Sequence, residues 1–246
     1  ISQPGSYYLT GNITGVVAKH GIEFSSNNVT IDLNGFTLRG VPDSLSGICN
    51  SGIRSDITVR NGKIGSWGTD GILLTLGGTG RGSVIEGVTV ESNARNGMSV
   101  NANSIVRGCM AHTNVGDGIT VGLHSVVSDC VSRINGDAGF VLVFGGAITN
   151  CGARDNGGVG ISASHGSTVS ACIAHLNGGD GIALIATGIV VNCSANENVG
   201  VGISADAAAT IEGCTSTING GDGIRVATAS SVRNNTCAGN GAGAAD

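Results

Sequence analysis

Residues 114–139, NVGDGITVGLHSVVSDCVSRINGDAG, close on the frame with which they open: Asn114 returns as Asn135 and Gly118 as Gly139, each 21 residues on. The same step carries Asn through 93, 114, 135, 156, 177, 198, 219 and 240, and Cys through 109, 130, 151, 172, 193 and 214. Gly followed by Ile, Met or Phe recurs with them. Residue types held in register over so long a run define a stacked repeat before any strand is assigned.

Within the unit Ile119–Gly139, apolar Ile119 and Val121 alternate with Thr120, residues 122–124 vary, and Val127 is apolar. Val127 and Cys130 are three apart, which breaks the period of two, so a corner lies between them. That corner column reads Gly108, Asp129, Asn150, Ala171, Asn192, Gly213 and Asn234. All but Ala171 tolerate positive φ at low cost, and a tight left-handed turn is predicted. Each unit then has three short strands, near 119–121, 125–128 and 130–134. At ~3.3 Å per residue the unit has a perimeter of roughly 70 Å, which suits a three-sided tube. The Gly-Ile landmarks predict about ten coils and a rod roughly 48 Å long.

The fold expected is all-β: a single-stranded parallel β-helix of three sheets with a 21-residue repeat. It forms one domain over 1–246. Residues 1–20 do not follow the repeat and read as an N-terminal cap, and 241–246 as a tail. Between them, 21–96 form irregular coils and 97–240 regular ones. Landmarks at Gly21, Gly47, Gly71 and Gly97 are 26, 24 and 26 residues apart, so the early coils carry insertions. One insertion falls within Leu76–Gly82. Inserted corners are where function tends to sit.

Composition narrows the function. With 44 Gly, 3% aromatic and 12% charged residues, a core built on large rings is excluded. A net charge of -5 gives no attraction to phosphate backbones, so nucleic acid is not an expected partner. No apolar run is long enough for a membrane span, and no basic segment precedes an apolar one at Ile1. The six in-frame Cys read as a buried thiol ladder, because stacked strands hold Cβ atoms farther apart than the ~3.8 Å of a disulfide. Cys49 and Cys237 lie off it.

The Asn-x-Gly-Asp-Gly-Ile repeat, the Asn/Gly corner and the opening Asn28-Val29-Thr30-Ile31-Asp32-Leu33-Asn34-Gly35-Phe36 resemble right-handed parallel β-helix proteins of the pectin-lyase-like superfamily. The resemblance covers residues 21 to about 240. It implies the right hand and a secreted or cell-surface protein in contact with polysaccharide. The superfamily holds lyases, hydrolases, epimerases and adhesins, so no single activity is implied.

Stacked Asn side chains are expected to bond to one another and to turn backbone, a structural role. The acids near the third corner alternate from coil to coil, Leu176 with Asp180 against Asp155 with Val159, which staggers like charges. Calcium is the alternative there, although a metal needs its carboxylates brought together, and no metal site is assigned. An outward column, His112, Arg133, Arg154 and His175, could track the carboxylates of an acidic polysaccharide. Trp67, the only Trp, joins it as a candidate platform. Asp70 and Arg81, in the irregular coils, are the catalytic candidates should the protein be a polysaccharide lyase or glycoside hydrolase. The first reading is a binding or structural module. Self-association, end to end or side by side, is a further expectation from the small, Gly-rich residues after Ala238.

Overall fold

The structure is a computed structural model that describes residues 1–74 and 82–241. Its strands are all short, parallel and wound into about eleven coils; no helix occurs among the described residues. In the quoted unit the strands are Ile119–Val121, Ser125–Ser128 and Val131–Arg133, which match the sequence reading. Each pairs with its counterpart 21 residues away, as Ile119 with Phe140, Val126 with Ala147 and Arg133 with Arg154.

Three strands per coil give two hydrogen-bonded sheets, not three. The first strands of the coils make a sheet of 10, whereas the second and third strands join in one of 20. The reason lies in the early coils: Ile57–Gly65 and Val84–Glu91 run without a break through the tight corner and belong to both faces. Elsewhere one residue suffices to turn the chain. Residues 1–20 enter the larger sheet, with Gly5–Tyr8 beside Val29–Asp32 and Ile13–Thr14 beside Leu38–Arg39.

The corner column has positive φ throughout, from Gly108 at 60° and Asp129 at 54° to Asn234 at 56°, and includes Ala171 at 52°. A second left-handed column, silent in the sequence, immediately precedes the Asn ladder: Thr113, Ile134, Asp155, Leu176, Glu197 and Ile218 lie between 54° and 59°. Inward residues build one continuous core in which Ile119, Val127 and Cys130 and their equivalents are buried until the last coil, where Val232 is exposed. The ladder thiols Cys109 to Cys214 are 1–3% exposed and form no disulfides; their Sγ–H groups reach backbone carbonyls, as Cys130 reaches Ser128 O at 3.1 Å.

The Asn ladder is continuous. Asn114 Nδ2 donates to Asn135 Oδ1 at 2.9 Å, and Asn135 Nδ2 to Asn156 Oδ1 at 2.9 Å. The backbone N–H of each Asn donates to the same oxygen of the next. Trp67 occupies the ladder position one coil before Asn93, and its backbone N–H meets Asn93 Oδ1 at 3.1 Å. Its ring lies in the core, 1% exposed, with Nε1–H donating to Leu38 O at 3.2 Å. Gly15 and Gly21 make this possible, since a Cβ on either would come within 2.7 Å of the ring. The ring therefore offers no face to a ligand, contrary to the expectation of a platform.

Candidate functional site

Third strands present alternate residues outward, because successive side chains of a strand point to opposite faces. Register places His112 beside Arg133, Arg133 beside Arg154, and Arg154 beside His175, so the column expected from sequence is one unbroken row. The row continues toward the N-terminus through Glu91 and Gly65 to Arg39. Glu91 was legible in the sequence, standing two residues before Asn93 as His112 stands before Asn114. Arg39 was not, because its coil holds no ladder Asn to mark the frame.

Acids moderate the row. His112 Nε2 lies 3.0 Å from Glu91, Arg154 Nε 2.9 Å from Asp155, and His175 Nε2 3.2 Å from Glu197. The Arg133 guanidinium has no ion-pair or hydrogen-bond partner among the described residues, and neither has that of Arg39; both are exposed. Exposed pairs of this kind contribute little to stability, which leaves their guanidinium and imidazole groups available for exchange with another carboxylate.

The neighbouring outward columns hold apolar residues at alternate levels. Val131 is 38% and Ile173 56% exposed on one side of the row, and Ile134 49% and Leu176 39% on the other. At the N-terminal end of the row an open recess of about 500 Å³ lies against Arg39, Val41, Pro42, Asp43, Ser66 and Ser92.

Asp70 stands on another side of the molecule, where the first strands begin. It is fully buried; Oδ1 accepts the Asn96 N–H and the Ser99 hydroxyl, both at 3.3 Å, while Oδ2 has no hydrogen bond and lies 3.7 Å from Arg95. Burial raises its pKa, with Arg95 opposing. Asp117, two coils along, is also raised by burial, against the pull of the Thr120 hydroxyl. Asn96 between them donates to Ser99 and accepts the Asp117 N–H at 2.9 Å. These groups form a second ladder, and Asp70 is the member with an unsatisfied oxygen. Arg81, its expected companion, lies outside the described residues.

The staggered acids are likewise engaged: Asp180 accepts the Val201 N–H at 2.8 Å and the Ser204 hydroxyl at 2.6 Å. Among the described residues, no three His, Cys, Asp or Glu converge as metal ligands do. A separate cluster, unforeseen from sequence, sits at the variable corner, where the Phe144 ring contacts His124 edge-on at 6.1 Å and His165 at 5.8 Å between centroids.

The profile of the right-handed β-helix region matches residues 46–189 and 146–245, and the chain belongs to that family. Among solved structures it is similar to the A-module of mannuronan C-5 epimerase AlgE4 from Azotobacter vinelandii, with 18% identity, a TM-score of 0.72, and coverage of 97% of this chain and 88% of that one. It is similar to pectate lyase Pel9A at 15% identity and a TM-score of 0.65, over 95% of this chain and 68% of that one. The Dettilon tailspike protein aligns at 10% identity and a TM-score of 0.56, over 97% and 59%. At these identities the likeness is one of fold. No sequence of a curated protein matches the chain significantly.

Proposed function

We propose that the protein is a binding module for acidic polysaccharide, acting outside the cell or on its surface, and that the row from His112 to His175 is its contact face. The in-register placement of Arg133 beside Arg154, with the Arg133 guanidinium unpaired among the described residues, carries this reading. Two arginines on adjacent strands roughly 4.8 Å apart can each take a carboxylate oxygen pair from one polymer. The flanking Val131, Ile173, Ile134 and Leu176 support ring faces between those charges. The names of the similar structures, a mannuronan epimerase and a pectate lyase, make uronate polymers the first class to try.

Catalysis is the second reading, that of a polysaccharide lyase or glycoside hydrolase. Asp70 favours it, being a buried carboxyl with a raised pKa and one unbonded oxygen, the condition in which a general acid is held. Arg81 is its proposed partner, and calcium its proposed aid. One experiment separates the readings: equilibrium binding to uronate polymers and to neutral glucans, with unsaturated product followed by absorbance, with and without calcium. The module binds the uronates, ignores the glucans and releases no product. Product formation would overturn the module reading, and equal affinity for neutral glucans would overturn the role of the row.

A further inference from the structure

The row does not stop at His112. Two levels beyond Glu91 it reaches Arg39, its last charged member, beyond which stands only Thr14, and the intervening position is Gly65. A Cβ at Gly65 would lie 2.8 Å from the Glu91 carbonyl oxygen and 2.9 Å from its Cγ, so the row has a gap that no larger residue fills without displacing Glu91. Beside this gap the corner residues are small, and the recess of about 500 Å³ opens over them. That volume lies within the range of ligand pockets of about 300–1,000 Å³.

Its lining is chemically mixed. Arg39 supplies a guanidinium with no partner among the described residues. The hydroxyls of Ser66 and Ser92 likewise make no hydrogen bond there. Both serines have left-handed backbone, at 61° and 56°, which turns the chain around the recess. Asp43, exposed and also left-handed at 60°, adds an acceptor, and Val41 and Pro42 form an apolar wall.

We infer that this recess is an end subsite for one carboxylate-bearing sugar residue, with Arg39 pairing its carboxylate. Ser66, Ser92 and Asp43 take the ring hydroxyls, and Val41 and Pro42 support the ring's apolar face. One unpaired cation set against the Asp43 carboxylate suits a single negative charge better than a dense polyanion. The inference deepens the module reading and rests on it, since the recess lies in line with the row and would receive the terminal residue of a chain lying along it.

The test uses two probes, a monomeric uronate and a uronate polymer, and two variants, Arg39→Gln and Arg133→Gln. Both arginines are exposed, so neither change disturbs the core. Wild-type protein binds both probes. Arg39→Gln weakens the monomer by about tenfold or more, the loss of a bidentate charged pair, and weakens the polymer as well. Arg133→Gln weakens only the polymer. Polymer binding that falls with Arg133→Gln but not with Arg39→Gln overturns the subsite and leaves the row standing. Monomer binding lost in Arg39→Gln without any polymer binding keeps the subsite and overturns the row. Wild-type protein that binds neither probe overturns both, as does polymer binding that neither variant alters.

Discussion

At the scale of single residues, the two left-handed columns make an instructive pair. The tight corner between second and third strands is filled by Gly, Asn and Asp, which adopt positive φ at low cost, and for that reason it could be read from the sequence. The column before the Asn ladder has the same conformation but holds Ile134, Leu176 and Ile218, whose residue types announce nothing. A β-branched residue with positive φ is strained, and Ile218 is also 64% exposed, so burial does not compensate for the strain. Replacing Ile218 by Asn is therefore expected to stabilise the protein by about 1 kcal/mol. Ala171→Asn, between Asn150 and Asn192, is expected to do the same. Thermal melts of the two variants check this; a fall in midpoint for both would show that neighbouring coils relieve the strain in some other way.

Ladders are the elements of this fold, and they differ in what they hold. The Asn ladder was evident from its 21-residue step, as was the Cys ladder. Asn156 accepts the Asn135 N–H at 3.1 Å and its Nδ2 at 2.9 Å, and donates to Ser132 O at 3.1 Å. Asn156→Ala strands buried donors on Asn135 and an acceptor on the coil behind. It should cost about 2–4 kcal/mol, measured by denaturant unfolding.

The shorter ladder at Asp70, Asn96 and Asp117 escaped the sequence reading, because two of its three levels fall in coils of irregular length. Asp70 has its pKa raised by burial. The stability it contributes is therefore full below its ordinary value of 3.8 and is lost as pH rises through the folded value. Asp70→Asn keeps the acceptor for Asn96 and Ser99 but removes the titration. Its melting temperature should gain on wild type as pH rises above 3.8, with little difference at the acid end. A difference that stays constant with pH would contradict the raised pKa of Asp70.

For the whole molecule, the sequence disclosed the tube, its three strands per coil and its inward and outward faces, because each follows from a period. It disclosed the basic row for the same reason. What it did not disclose arises where the period fails or where contacts cross coils. Trp67 reads as a surface ring until the structure shows Gly15 and Gly21 making room for it in the core. The acids Glu91, Asp155 and Glu197 reach the row from adjoining positions, so a column that reads as cationic is a mixed one with Arg133 left open. Arg39 joins it only through coils 26 residues apart. The central claim is that this face takes an acidic polymer through its arginines. The most direct measurement is the affinity of wild type and of the Arg133→Gln, Arg154→Gln double variant for a uronate polymer, at low and at physiological salt. The account predicts a loss of about tenfold or more in the double variant and weaker wild-type binding at the higher salt. Equal affinities for the two proteins, unaffected by salt, would contradict it.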